Sequence, residues 1–341
     1  MVDHRVPSRR DRSTTDGSTL VGTTDSVRPA SVFVFAPAVF LTVTLERRGS
    51  SDEVHLHAGG QGLWIARMLA TLGVDVALCG PFGGESGTVA WSLLAQEGMR
   101  VDAVDVESWS GTYVHDRRSG ERVVVADVPP QTLSRHELDQ LYGAAVVSAL
   151  EVPVSVLGGP HEPSPVPPDV YRRLAKDIRS NGRLVVADLS GAALDAALQG
   201  GIDVLKVSHE ELVDDGHART DALLDLVAAG RSLQLNGAIH VVVSRATEPT
   251  LLLTGDEAYE IVAPLLEPAD PTGAGDSMTA GIAAGLVDHL DIVDAVRLGA
   301  AAGALNVTRR GKGSGQRDQV ERVASQIVAR PVSRADETRH E

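Results

Sequence analysis

Between Ser134 and Thr254, short β-branched runs alternate with segments whose apolar residues recur at helical spacing, and this alternation leaves few folds open to the chain. The runs Val152 to Leu157, Leu184 to Asp188, Val204 to Val207 and Ile239 to Ser244 are nearly continuous in apolar residues, as strands buried on both faces require. Helical stretches separate them, from Ser134 to Ala149, up to Ser180, around Leu194 and from Thr220, and two further strands flank Gly255. Strands alternating with helices predict an α/β fold, a doubly wound and mostly parallel sheet with helices on both faces. The rhythm starts earlier, with a strand at Ser31 to Phe35, a helix ending at Gly73, a strand at Val74 to Leu78, a loop at Gly80 to Gly84 and a helix over Thr88 to Gln96. It ends in small-residue helices at Ile282 to Val287 and Ile292 to Val307, where Ala300 to Leu305 implies closely packed backbones.

Two β excursions interrupt this rhythm. Leu41 to Leu45 and Val54 to His57 alternate around a charged turn, and Val101 to Val106, Thr112 to His115 and Arg122 to Ala126 alternate around Ser119-Gly120. Together they predict a small β-sheet lid outside the main layer, from segments at about 41–58 and 101–127. The domain then spans 30–325, between a disordered tail at 1–29, rich in Ser, Thr, Arg and Asp, and a flexible tail at 326–341. An exposed lid edge would invite a homodimer by sheet pairing.

Lys and Arg total 31 against 46 Asp and Glu, a net charge of −15, which disfavours a nucleic-acid partner. The single cysteine, Cys79, excludes an internal disulfide and fits a reducing, cytoplasmic setting. Residues 30–45 are apolar, but they are broken by Pro37 and too short for a bilayer, so no membrane partner is expected.

The stretch Asp270-Pro-Thr-Gly-Ala-Gly-Asp276 reads as a tight glycine loop opening onto a helix. Helix-start amides lack internal partners and hold anions, and the loop has neither the Gly-Lys-Ser/Thr ending of a P-loop nor a dinucleotide fingerprint. An amide nest beside a carboxylate suits phosphoryl transfer to an alcohol, with Asp276 taking the hydroxyl proton. Taken alone, the same residues equally suit a turn followed by an acidic residue that complements the helix dipole.

Four motifs in order resolve this. Asp270 to Gly281, Gly59-Gly-Gln-Gly-Leu-Trp-Ile-Ala-Arg67, Asp188-Leu-Ser-Gly191 and Lys206-Val-Ser-His-Glu-Glu-Leu212 together resemble the ribokinase-like (PfkB) carbohydrate kinases, in particular the 1-phosphofructokinase and tagatose-6-phosphate kinase branch. The similarity runs from about Val32 to Val323. It implies a ribokinase-like fold, an ATP-dependent kinase of a sugar or sugar-like alcohol, and magnesium. Asp276 then matches the catalytic base, and Gly273, Ala274 and Gly275 match the anion hole. Glu211 matches a glutamate that organises the magnesium–phosphate complex indirectly, and Lys206, Ser208, Ser244 and Asn306 fall at nucleotide-binding positions.

The departures concern the acceptor. The branch's Asn-Pro-Ala-x-Asp reads Ala36-Pro-Ala-Val-Phe40 here, its Gly-Gly-Lys-Gly-x-Asn reads Gly59-Gly60-Gln61-Gly62-Leu63-Trp64, and its lid Thr-Arg pair reads Thr112-Tyr113. An unpaired substrate phosphate or hydroxyl costs several kcal/mol of binding, so these changes disfavour a phosphorylated sugar. Phe40, Gly59, Gly60, Gln61, Trp64 and Tyr113 are the substrate-side candidates, with Phe40, Trp64 and Tyr113 as an aromatic wall. The alternatives are a metabolite-binding regulator of the same fold without turnover, or a nucleoside kinase. On the nucleotide side, Ser244-Arg-Ala-Thr-Glu-Pro249 replaces a glycine-containing turn, with Arg245 expected to reach a phosphate or lie in solvent. His55, His57 and His115 lack completing ligands for a metal and are expected as exposed lid residues.

Overall fold

The computed structural model describes residues 31–159, 163–267, 269–308 and 315–332. The expected tail at 1–29 and residues 333–341 lie outside them, as do residues 160–162. In chain order the elements are β1 (Val32–Phe35), β2 (Phe40–Arg48), β3 (Ser51–Gly59), α1 (Gln61–Thr71), β4 (Val76–Gly83), α2 (Gly84–Leu94), β5 (Arg100–Val106), β6 (Gly111–Asp116) and β7 (Val123–Val128). There follow α3 (Arg135–Leu150), β8 (Val154–Gly158), α4 (Asp169–Ser180), β9 (Leu184–Asp188), α5 (Gly191–Gly200), β10 (Ile202–Ser208), α6 (His209–Asp214) and α7 (Leu223–Leu235). The last are β11 (Ala238–Arg245), β12 (Glu248–Thr254), β13 (Glu257–Val262), α8 (Ala274–Val287), α9 (Ile292–Val307), α10 (Arg317–Ala324) and β14 (Val328–Pro331).

Among the described residues the main sheet has the order β14-β13-β12-β11-β10-β9-β8-β1-β4-β5, parallel from β11 to β5 and antiparallel beyond β11. β1 lies between β8 and β4, so the chain reverses its direction of winding there and opens a crevice at the carboxyl ends of the strands. Alternation along β1 explains the two cores. Phe33 and Phe35 point to one face and pack with Tyr171, Leu174, Leu194 and Leu226, while Val32 and Val34 point to the other and pack with Leu63, Ile282 and Val296. On that second face the small residues let α8 and α9 cross closely, because a Cβ on Gly281 would stand 2.7 Å from the Gly299 Cα.

The lid is a separate four-stranded sheet, β3-β2-β6-β7. Its boundaries differ from the expected ones in one respect: Arg100–Val106 is the edge strand of the main sheet, paired in parallel with β4. Asp102 and Asp105, three residues apart, point to opposite faces of that strand: Asp102 accepts from Ser148 Oγ and Asp105 is exposed. Gly80 to Gly83, expected as a loop, continues β4, and Val328–Pro331, expected in a flexible tail, closes the other end of the main sheet against β13.

The lid's two faces differ in chemistry. Thr42, Thr44, His55, His57, Tyr113 and His115 share one face by register, while Val54, Leu56, Val123 and Val128 share the other and are exposed. His115 is not the solvated lid residue expected from sequence: it is buried, with Nε2 at 3.1 Å from Thr44 Oγ1 across the strand pair.

Candidate active site

α8 starts at the crevice. Its N-cap, Gly273, has φ 85°, a left-handed conformation that only glycine adopts without strain, and it turns the chain into the helix, with the Ala274 amide donating to the Pro271 carbonyl at 3.3 Å. Gly273, Ala274, Gly275 and Asp276 are all half-buried, with Asp276 in the first helical turn. The preceding loop is held on both sides. Asp270 Oδ1 accepts from Thr272 N at 3.0 Å, Asn306 Nδ2 donates to the Thr272 carbonyl at 3.0 Å, and the Val307 carbonyl accepts from the amides of Ala269 and Asp270. Burial opposes ionisation of Asp270, but hydrogen bonds from Thr272 and Arg117 outweigh it and hold the carboxyl below its ordinary range.

Beneath this loop lies a buried ion pair that the sequence motifs do not announce. Lys206 on β10 is 5% exposed and Asp188 at the end of β9 is 2% exposed, with Nζ and Oδ1 3.2 Å apart. Thr279 on α8 donates to Asp188 Oδ2 at 2.6 Å, and its hydroxyl lies 3.1 Å from the Gly275 carbonyl. A Cβ on Gly275 would stand 2.7 Å from Lys206 Nζ, so the second loop glycine is what lets the ammonium sit under the helix start. Burial penalises the Lys206 charge, but Asp188, Glu211 and Asp276 outweigh that penalty and raise its pKa above the ordinary value. The site therefore carries a fixed positive charge under the start of α8 and within electrostatic reach of Asp276.

Other residues expected on the nucleotide side fall at neighbouring strand ends. Ser208 and Ser244 are register partners on β10 and β11, and the Ser244 carbonyl faces His209 Nδ1 at 3.2 Å. Ser208 and Glu211 form a capping box for α6: Glu211 Oε2 accepts from Ser208 N at 2.7 Å and from Ser208 Oγ at 2.8 Å. Asn306, expected near the nucleotide base, is fully buried, and its amide nitrogen holds the loop before α8 through the Thr272 carbonyl. Arg245 neither reaches towards a phosphate nor lies in solvent, since it is turned back to Glu260 at 3.4 Å and is 11% exposed. In the β11–β12 turn, Ala246 takes φ 49°, a conformation that glycine would adopt more easily.

On the acceptor side the three aromatic residues have the following surroundings. Phe40 is buried with its ring against Gly111, at the register pair where β2 and β6 leave the main domain, so it seals the base of the lid. Trp64 carries the Arg67 guanidinium 4.5 Å from its ring centroid, and Tyr113 carries that of Arg122 at 5.1 Å. Arg67 is itself committed to Glu97 at 2.6 Å and to the Ala58 carbonyl. Gly59 and Gly60 have a packing reason to lack side chains, because a Cβ would overlap Thr42 and the Ala38 carbonyl. Gln61 accepts through Oε1 from Gly159 N, joining the start of α1 to the loop after β8.

Residues 41–319 match the pfkB family of carbohydrate kinases. The chain belongs to that family. It is 29% identical over 307 residues to ATP-dependent 6-phosphofructokinase isozyme 2 of Mycobacterium tuberculosis, covering 87% of this chain and 88% of that protein. It is 29% identical over 248 residues to 1-phosphofructokinase of Bacillus subtilis, covering 73% and 80%. Among solved structures, phosphofructokinase-2 from Escherichia coli in complex with potassium superposes with a TM-score of 0.74 at 25% identity, over 87% of this chain and 98% of that one. The ribokinase of Arabidopsis thaliana, at 20% identity and a TM-score of 0.66 over 86% and 98%, shares the fold. As a pfkB carbohydrate kinase, the protein transfers a phosphoryl group from ATP to the hydroxyl of a sugar or sugar-like molecule.

Sequence reasoning missed three members of this kinase's site: Asp188 as the partner of Lys206, Thr279 as the link between that pair and Gly275, and Arg117 as a partner of Asp270. Asp188 stood in a recognised motif, but nothing local says that it faces a lysine on the neighbouring strand. Removing one member of a buried pair leaves an uncompensated charge and costs about 3–5 kcal/mol. Lys206→Met is expected to lower unfolding free energy by about that amount in urea, and the double variant Lys206→Met/Asp188→Leu by clearly less than the sum of the single changes. Additive losses would show that the two residues do not act as a pair.

Proposed function

We propose that Asp276 is the general base of this kinase and that the amides of Gly273, Ala274 and Gly275 hold the phosphoryl group in flight. The observation that carries this reading is the half-buried Asp276 in the first turn of a helix whose left-handed glycine cap faces the crevice, with Lys206 packed directly beneath. Asp276 accepts the proton of the acceptor hydroxyl as its oxygen bonds to the γ-phosphorus, and ADP leaves with the electrons of the broken P–O bond. Negative charge building on the equatorial oxygens meets fixed amide dipoles and the Lys206 charge, which need no rearrangement at that moment.

The residues present fit ATP and magnesium at this place. Lys206, Ser208 and Ser244 lie at adjacent strand ends on the nucleotide side, and Glu211 stands beside them at the start of α6. With Oε2 engaged in capping, Glu211 would act on Mg2+ indirectly, and the ion would supply positive charge between the phosphates.

The acceptor is a sugar or sugar-like alcohol presented by the polar face of the lid, with Gly59, Gly60, Gln61 and the Tyr113 side of β6 at its border. Gln61 stands where a lysine would otherwise offer a cation, which favours a neutral acceptor. Burial of Phe40 and the guanidinium groups over Trp64 and Tyr113 favour this reading over a flat nucleoside pocket.

The exposed aliphatic face of the lid, Val54, Leu56, Val123 and Val128, supports a homodimer in which two lids pack through these faces. This replaces pairing by strand edges as the mode of association. Among the described residues no helix is long and apolar enough to cross a membrane, and a cytoplasmic setting agrees with the lone buried Cys79.

Mg-ATP turnover screened against free sugars, sugar phosphates and nucleosides is expected to be highest with a free sugar or polyol. Asp276→Asn should lower kcat by about 10²–10⁴. Turnover that survives this change would remove Asp276 from the mechanism, and a nucleoside as the only acceptor would overturn the acceptor class. In sedimentation velocity, wild-type protein should run as a dimer and Leu56→Glu as a monomer; a wild-type monomer would exclude association through the lid.

A further inference from the structure

One contact joins the lid to the catalytic loop across 153 residues of sequence. Arg117, immediately after β6, donates through Nη2 to Asp270 Oδ2 at 3.0 Å, and both side chains are largely covered, at 27% and 19% exposed. Arg117 belongs to the lid by its backbone, since its amide donates to the Leu45 carbonyl of β2 at 2.8 Å. By strand parity it follows Tyr113 and His115 on the polar face, so that face turns towards the catalytic loop. Asp270 meanwhile uses its other oxygen, Oδ1, to hold Thr272 N, and Thr272 immediately precedes the glycine that starts the anion-binding turn. A lid guanidinium is thus one carboxylate away from the backbone of the nest.

We propose that Arg117 is a positioning residue: docking of the lid on Asp270 fixes the Asp270 carboxylate against Thr272, so that closing the lid and setting the Gly273 to Gly275 amides are one event. The role assigned to those amides rests on the phosphotransfer reading, but the coupling itself does not. An isolated surface ion pair would carry little. This one differs because the anion is already committed to the loop, so loss of the guanidinium frees the carboxylate to rotate away from Thr272. The arrangement also gives the kinase a reason not to assemble its phosphate site while the lid is open, when water would compete for the phosphoryl group.

The test needs no acceptor. Hydrogen exchange on the full chain, without ligand, compares wild type with Arg117→Met, Arg117→Lys, Asp270→Asn and the double variant Arg117→Met/Asp270→Asn. Arg117→Met should speed exchange about tenfold in both β6–β7 and residues 272–275, a coupling in the middle of the range for contacting charged groups, with unchanged protection in β8–β10. Arg117→Lys should restore most of the protection. Asp270→Asn, which keeps an oxygen for Thr272, should loosen the lid more than the loop, and the double variant should be no worse than the worse single one. Wild-type exchange at 272–275 in Arg117→Met, or additive effects in the double variant, would overturn the coupling. Should Arg117→Met fail to fold, the Arg117→Lys and Asp270→Asn profiles decide by the same criteria. Exchange as expected in a protein that never consumes ATP would leave the latch standing and remove the phosphotransfer reading instead.

Discussion

The site depends on a positive charge kept where water cannot reach it. Lys206 is buried beneath the start of α8, and three carboxylates, those of Asp188, Glu211 and Asp276, keep it charged against the cost of desolvation. The surrounding sequence serves that placement. Thr279 ties Asp188 to α8, Gly275 leaves room for the ammonium, and the parallel register of β9 and β10 sets Asp188 beside Lys206. A buried pair of this kind adds little net stability, because desolvation consumes most of the Coulomb gain. Its value is geometric: the charge is already in position when negative charge develops above it.

The remainder of the fold converges on the same point. The winding of the sheet reverses beside β1, which opens the crevice, and α9 packs closely enough on α8 for Asn306 and the Val307 carbonyl to grip the loop before the helix. From above, the lid contributes Arg117. The loop before α8 is therefore held by the body of the sheet from below, by α9 from the side and by the lid from the front. Its own residues are mostly small and would not hold a shape unaided. The chain's place among the pfkB carbohydrate kinases is consistent with a phosphotransfer site in this crevice, the reading proposed for it.

Much of this was legible in the sequence. The parallel sheet announces itself in runs such as Val204 to Val207, and the loop from Thr272 to Asp276 carries its conformation in its glycines. What failed to show were relations between distant segments. Nothing near Val101 to Val106 says whether the strand stands in a lid or at the edge of the main sheet, since its residues pack on both main-sheet cores only through distant segments. Aromatic residues at 40, 64 and 113 suggest a common wall, but nothing local announces the Gly111 backbone under the first ring or the guanidinium groups over the other two. Asn306 reads as a ligand residue from its neighbourhood, and nothing local says that its amide nitrogen also holds the Thr272 carbonyl. A polar side chain in a motif has two possible uses, the ligand or the loop that holds the ligand, and only the three-dimensional partners distinguish them.

The account rests on the claim that the phosphoryl group to be transferred sits on the Gly273, Ala274 and Gly275 amides. Backbone amide resonances of a 15N-labelled chain, titrated with magnesium and a non-hydrolysable ATP analogue, test this directly. The account predicts that those three amides shift most, with smaller changes at Ser208 and Ser244. Saturable shifts that leave Gly273 to Gly275 unmoved would contradict it, because the phosphates would then lie elsewhere and Asp276 would have no reacting group beside it.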